Sequence, residues 1–222
     1  MNSLLIDPIA CVLKLVFEQA ETADRSFREA LNSEGGETRL DEQIGKILDE
    51  KARDYKAVYL AHAGNYLNVS PEFGKFLYMC ARTRRASRIA EFGTSFGVSA
   101  IYLACALHDN GGGRLIGTEL EASKAAAANG NLAAAGLADI VDIRIGDALE
   151  TLKDGIDGDI DMVHLDGAFS PYLPVLRILE PHLKPGALVI GENSFGNYID
   201  YVPDPRNGYA SHGIAVRART RQ

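Results

Sequence analysis

A chain of 222 residues, 46% apolar and 24% charged, has ordinary globular usage and is long enough for one α/β domain with an appendage. The formal charge of −7 argues against a nucleic-acid backbone as partner, and apolar runs such as Ile101–Leu107 fall far short of the ~20 residues a membrane span needs. There is no signal-peptide pattern, and Cys11, Cys80 and Cys105 are unclustered among apolar neighbours, so the expectation is a cytoplasmic protein whose cysteines are small buried hydrophobes.

In chain order, Ile9 to Leu31 reads as a helix, with Ile9, Val12, Leu13, Val16, Phe17 and Ala20 on one stripe, broken by Asn32-Ser33-Glu34-Gly35-Gly36. A second helical stretch runs from about Leu40 to Leu60. A third begins at Ser70-Pro71-Glu72, where Ser70 can cap, Pro71 suits the first turn, and Phe73, Phe76, Leu77 and Cys80 repeat at helical spacing. The basic stretch Arg82–Arg88 then reads as cations complementing the dipole at that helix's C-terminus. Residues 1–86 are therefore expected to form a helical N-terminal cap, a lid or a dimer surface, ahead of a domain over 87–222.

From Arg88 the texture alternates. Apolar runs at Arg88–Phe92, Arg114–Glu119, Ile140–Ile145, Ile160–Asp166 and Ala187–Glu192 are interleaved with helical stretches at Val98–Leu107, Ala122–Ala135, Ala148–Leu152 and around Leu173–Leu183. Their starts are 26, 26, 20 and 27 residues apart, the length of a βα unit. Right-handed crossovers between such units build a doubly wound parallel sheet covered on both faces. Tyr209–Thr220 reads as one further strand.

Ligands of such sheets bind beyond the carboxyl ends of the strands, so strand-end residues carry the information. The first strand closes in Glu91-Phe92-Gly93-Thr94-Ser95-Phe96-Gly97-Val98-Ser99. Gly93 would let the backbone turn and approach a ligand, and Gly97 would let the helix start close to the strand; a plain β–α turn also favours glycine. The spacing G-x-x-x-G lacks the middle glycine that admits a pyrophosphate, which favours the adenosyl group of S-adenosylmethionine over a dinucleotide. Glu119, 26 residues after Gly93, can accept from both ribose hydroxyls or stand as an ordinary surface glutamate. Asp147, in Gly146-Asp147-Ala148, can accept from an adenine amino group, cap the next helix, or both. Asp166 and Glu192-Asn193, at the ends of the fourth and fifth strands, could form an oxygen cluster for magnesium or another divalent cation.

In order and spacing, Glu91-Phe92-Gly93, the Glu119 strand end, Gly146-Asp147-Ala148, Met162-Val163-His164-Leu165-Asp166 and Leu183-Lys184-Pro185-Gly186-Ala187 resemble the catechol and caffeoyl-CoA O-methyltransferases over about residues 70–195. The resemblance implies a Rossmann-like fold, S-adenosylmethionine as cofactor, and methyl transfer to a hydroxyl of a small, for example phenolic, acceptor, with a homodimer expected. It implies Glu91, Gly93, Ser95 and Ser99 against the methionine part, Glu119 on the ribose, Asp147 and Ala148 near the adenine, and Asp166 shared between cofactor and metal. Asp166, Glu192 and Asn193 correspond to the family's metal ligands. Two departures stand out. The family's Asp-Asn pair is Glu192-Asn193, and its catalytic lysine is Phe169, which cannot take a proton. Asp166 and His164 are then the catalytic candidates, with His212 and Tyr198 as weaker bases. The competing expectation is a non-catalytic S-adenosylmethionine-binding protein.

Overall fold

The computed structural model describes residues 2–27, 29, 53–194 and 196–216. Among these, five parallel strands form one sheet in the order β3-β2-β1-β4-β5: β1 Arg88–Phe92, β2 Arg114–Glu119, β3 Val141–Ile145, β4 Ile160–Leu165 and β5 Leu183–Gly191. The chain winds outward from β1 to β3 and returns to the other side of β1 for β4. The winding therefore reverses between β1 and β4, which is where a doubly wound sheet opens a ligand crevice.

The helices are α1 Ile9–Ala23, α2 Pro71–Thr83, α3 Val98–Asp109, α4 Ala122–Ala134, α5 Ala148–Thr151, α6 Tyr172–Leu179 and α7 Asn197–Tyr201, with residues 53–60 also helical. The expected stripe on α1 is buried at Ile9, Val12, Leu13, Val16 and Ala20. α1 ends at Ala23 because Asp24 turns inward, where its carboxylate accepts from the backbone N–H groups of Tyr66 (2.8 Å) and Leu67 (2.9 Å); residues 25–27 and 29 are helical again, and 28, 30 and 31 lie outside the described residues. Ser70 caps α2 by accepting from the Phe73 N–H, with Pro71 in the first turn. The break at 32–36 and the stretch 40–52 lie outside the described residues.

Alternation along the strands divides the core. Ile89, Leu115 and Met162 face α1, α2 and α3, while Ala90, Ile116, Val163 and Leu165 face α6 and α7. α3 is buried without interruption from Val98 to Leu107, being covered by the sheet on one side and α2 on the other. Asp161 ties the sheet's lower edge together. It accepts from the N–H groups of Ser87 and Arg88, the Ser87 hydroxyl and Lys184, and these donors outweigh burial to hold its carboxyl at about 2.

Several expectations are corrected. Cys11 is exposed, because it lies off the buried stripe of α1; Cys105 is buried and Cys80 intermediate. The helix around 173–183 is α6 followed by a single 3-10 turn at Glu180–His182, after which β5 starts earlier than read. Residues 209–216 form no strand; Tyr209 instead donates its hydroxyl to Glu180, as Tyr201 does, and 217–220 lie outside the described residues. No helix among the described residues is long and apolar enough to cross a membrane.

Candidate active site

Backbone hydrogen bonds just past the strands set the frame. Gly93 and Thr94 donate to the Thr118 carbonyl, Asp166 to Phe92, Glu192 to Leu165 and Gly146 to Glu119. These links hold the segments carrying Glu119, Asp147, Asp166 and Glu192 along one edge of the sheet. Gly93 has φ +94, and a Cβ there would lie 2.5 Å from the Asp166 carbonyl oxygen. Its glycine requirement comes from the close passage of the β1 and β4 ends, and Gly93 also lines the pocket described below. Gly97, at φ +84, likewise makes room for Ala128 of α4.

The loop after β1 reaches across to β2. Ser95, at φ +49, donates its N–H to Glu119 Oε2 at 2.7 Å and its hydroxyl to the Tyr66 carbonyl. Glu119 is buried, which pushes its carboxyl up despite N–H donors from Ser95 and Glu121 and the Tyr59 hydroxyl at 2.8 Å. Asp147 accepts from the Tyr55 hydroxyl, from Lys56 at 2.6 Å and from the Leu149 N–H, and these donors hold it below the ordinary range although burial acts the other way. So Asp147 does cap α5. The helical segment 53–60 thus lies over a pocket lined by Tyr55, Tyr59, Gly93, Glu119, Asp147 and Ala168. Ala148 is buried beside it, and Ser99 is buried in the first turn of α3. Beneath Tyr59, the fully buried Lys124 ammonium sits 4.5 Å from that ring's centroid, with its Nζ unpaired and its charge disfavoured by burial.

On the other side of β1 lies an acidic cluster. Ligand atoms of His164, Asp166 and Glu192 all fall within 4.8 Å of one another. Burial, and then the charges of Glu192 and Glu91, push Asp166 far above the ordinary carboxylate range; burial also raises Glu192. Glu91 is buried with both oxygens engaged, one accepting from the Thr94 hydroxyl at 2.9 Å and the other 3.3 Å from His164 Nδ1. Asn193, exposed at φ +48, follows Glu192. Phe169 packs edge-on against Tyr172. Tyr198 is buried against Tyr172, its hydroxyl pushed up to about 12 by burial, and His212 is exposed on the tail.

That these acids stand at strand ends was legible in the sequence. Tyr55, Tyr59 and Lys124 were not, because a tyrosine or lysine in a helical stretch carries no local mark of the carboxylate or ring it will meet.

Residues 90–194 match the family model of a methyltransferase domain. A catechol O-methyltransferase from Niastella koreensis is 38% identical over 138 residues, covering 60% of this chain and 62% of that protein, so the chain spans about three fifths of its length. Among solved structures, the O-methyltransferase TomG from Streptomyces achromogenes, in complex with S-adenosylmethionine, is 32% identical with a TM-score of 0.54, covering 85% of this chain and 78% of that one. An O-methyltransferase from Bacillus cereus, in complex with S-adenosylhomocysteine, is 30% identical with a TM-score of 0.56, covering 67% and 66% respectively.

Proposed function

Since this chain belongs to the class I S-adenosylmethionine-dependent O-methyltransferases, we propose that it transfers the methyl group of S-adenosylmethionine to a hydroxyl oxygen of a small phenolic acceptor, assisted by a divalent cation. The observation that carries this reading is the division of strand-end acids around the switch point. Glu119 and Asp147 lie on one side of β1, Asp166 and Glu192 on the other.

In this reading Glu119 accepts from the ribose hydroxyls, Asp147 and Ala148 border the adenine, and Glu91, Gly93, Ser95, Ser99 and Asp166 surround the methionine end. The donor set fits a cation, because Glu192 Oε2 and His164 Nε2 are buried without a hydrogen-bond partner and ligand atoms of His164, Asp166 and Glu192 lie within 4.8 Å of one another. When bound, S-adenosylmethionine supplies an electrophilic methyl, and a cation on Asp166 and Glu192, with Asn193 as a neutral donor, would lower the pKa of the acceptor hydroxyl. The protein's share is positioning of nucleophile and methyl in line, a contribution that reaches ~7–11 kcal/mol in well-oriented reactions. With Phe169 unable to accept a proton, Asp166 is the carboxylate at the β4 end placed to take it. His164 backs this acid cluster from inside the sheet.

Leu5, Ile6, Leu15 and Met79 of the N-terminal region are exposed apolar residues that a homodimer contact would cover, for which sedimentation gives the answer. The unpaired cysteines suit a cytoplasmic location. A non-catalytic cofactor-binding role is the competing reading, favoured by Phe169 alone. Calorimetry with S-adenosylmethionine, followed by methyl transfer to catechol and related phenols before and after chelation, separates them. Saturable binding with transfer abolished by chelation is expected. Binding without transfer to any hydroxyl acceptor supports the competing role, and absence of binding overturns both.

A further inference from the structure

His164 lies in the middle of a sheet, fully enclosed, with Glu91 beside it in register on β1. A carboxylate accepts hydrogen bonds, so with one proton on the ring that proton belongs on Nδ1, facing Glu91 Oε1 at 3.3 Å. The Thr94 hydroxyl donates to the other oxygen of Glu91 and holds that carboxylate in place. The opposite nitrogen, Nε2, is then left with a lone pair, and it is buried with no hydrogen-bond partner. Glu192 Oε2 is orphaned in the same way. Leaving such groups unsatisfied is costly, so a native interior retains two together only where something else satisfies them. The ring of Phe73 on α2, 6.1 Å from the imidazole centroid, limits access of water to one side of the histidine.

We propose that His164 Nε2, Asp166 and Glu192 form a one-histidine, two-carboxylate site that selects a borderline transition-metal ion such as cobalt, zinc or manganese over magnesium, with Glu91 as the positioning residue behind the imidazole. Imidazole nitrogen suits these ions, whereas magnesium takes oxygen donors and keeps its water. A metal-bound histidine commonly donates its other N–H to a carboxylate, which fixes the tautomer and raises the basicity of the ligating nitrogen. Glu91 and Thr94 supply that arrangement here. The inference rests on the cation-assisted reading above in sharing Asp166 and Glu192; it adds the nitrogen donor and the class of ion.

The test uses the full chain stripped of metal by chelation and desalted. Calorimetry with cobalt, zinc, manganese and magnesium chlorides measures selectivity, and pulsed electron paramagnetic resonance of the manganese-loaded protein reads nitrogen coupling. Zinc or cobalt should bind at least about a hundredfold more tightly than magnesium, and the manganese spectrum should show one imidazole nitrogen. Glu91→Gln should weaken cobalt binding by about 10–100-fold and alter the cobalt visible spectrum, while His164→Gln should remove the nitrogen signal. If the His164 variant fails to fold, the spectrum of the unsubstituted protein still decides. Magnesium binding as tight as zinc without nitrogen coupling overturns the inference and leaves the cation-assisted reading standing. Binding of no ion overturns both metal claims, and S-adenosylmethionine calorimetry on the same sample then shows whether cofactor binding survives them.

Discussion

The Tyr59 hydroxyl occupies an acceptor position that a ribose diol would need, so Tyr59→Phe should tighten S-adenosylmethionine binding. Tyr59 and the Ser95 N–H both donate to Glu119 Oε2, at 2.8 and 2.7 Å, while Glu121 N–H holds Oε1. A hydrogen bond to a carboxylate contributes roughly 1.5–3 kcal/mol, and a ligand diol must displace this one before making its own. Phenylalanine keeps the ring that covers Lys124 and deletes only the competitor. At about 1.4 kcal/mol per tenfold, the ceiling is a Kd lower by roughly ten- to a hundredfold. A value near tenfold is expected, since Glu119 in the free variant regains part of the loss from water. Calorimetry measures the Kd, and thermal melting of the free protein should show the opposite sign, a lower Tm in the variant. Unchanged or weaker cofactor binding would refute the argument, because the hydroxyl would then stand beside the ribose and not in its place.

Glu119→Ala should weaken S-adenosylmethionine binding by roughly 1.5–3 kcal/mol in calorimetry, having lost the acceptor for the ribose hydroxyls; unchanged affinity would remove Glu119 from the site. Gly93→Ala should lower the Tm by more than Gly111→Ala. Both positions have positive φ, where a side chain costs ~1–2 kcal/mol, but only at Gly93 would the added Cβ meet backbone, while at Gly111 nothing lies within 4 Å. Equal losses in the two melts would show that the β1–β4 passage relaxes freely. Asp161, held at about 2 when folded against an ordinary value near ~3.9, contributes stability that is present above that ordinary value and is lost as the pH falls toward 2. Asp161→Asn should therefore be less stable at pH 7 and show a shallower loss of stability between pH 4 and 2, read by chemical unfolding at each pH; identical pH slopes would contradict this.

The sequence by itself determined the alternating elements from Arg88 onward and the positions of the acids, because burial on both faces demands continuous apolar strands and the first polar residue after each marks its carboxyl end. Element lengths at α6 and β5 shifted by a few residues, since the turn between them depends on packing against the sheet and not on local pattern. Only the tertiary structure decided what each polar group meets. Glu91 reads as a motif acid near the end of its strand, yet parallel pairing with β4 sets it against His164 and commits both its oxygens within the protein. Gly93 reads in the sequence as a turn glycine, and only the crossing of two strand ends shows that the Asp166 backbone lies where a side chain there would go. Tyr59 precedes Glu119 by 60 residues and finds it only because a helical segment returns over the sheet's edge. Periodicity is a property of neighbours along the chain, whereas a hydrogen bond between distant residues depends on how whole elements pack, which no local spacing encodes.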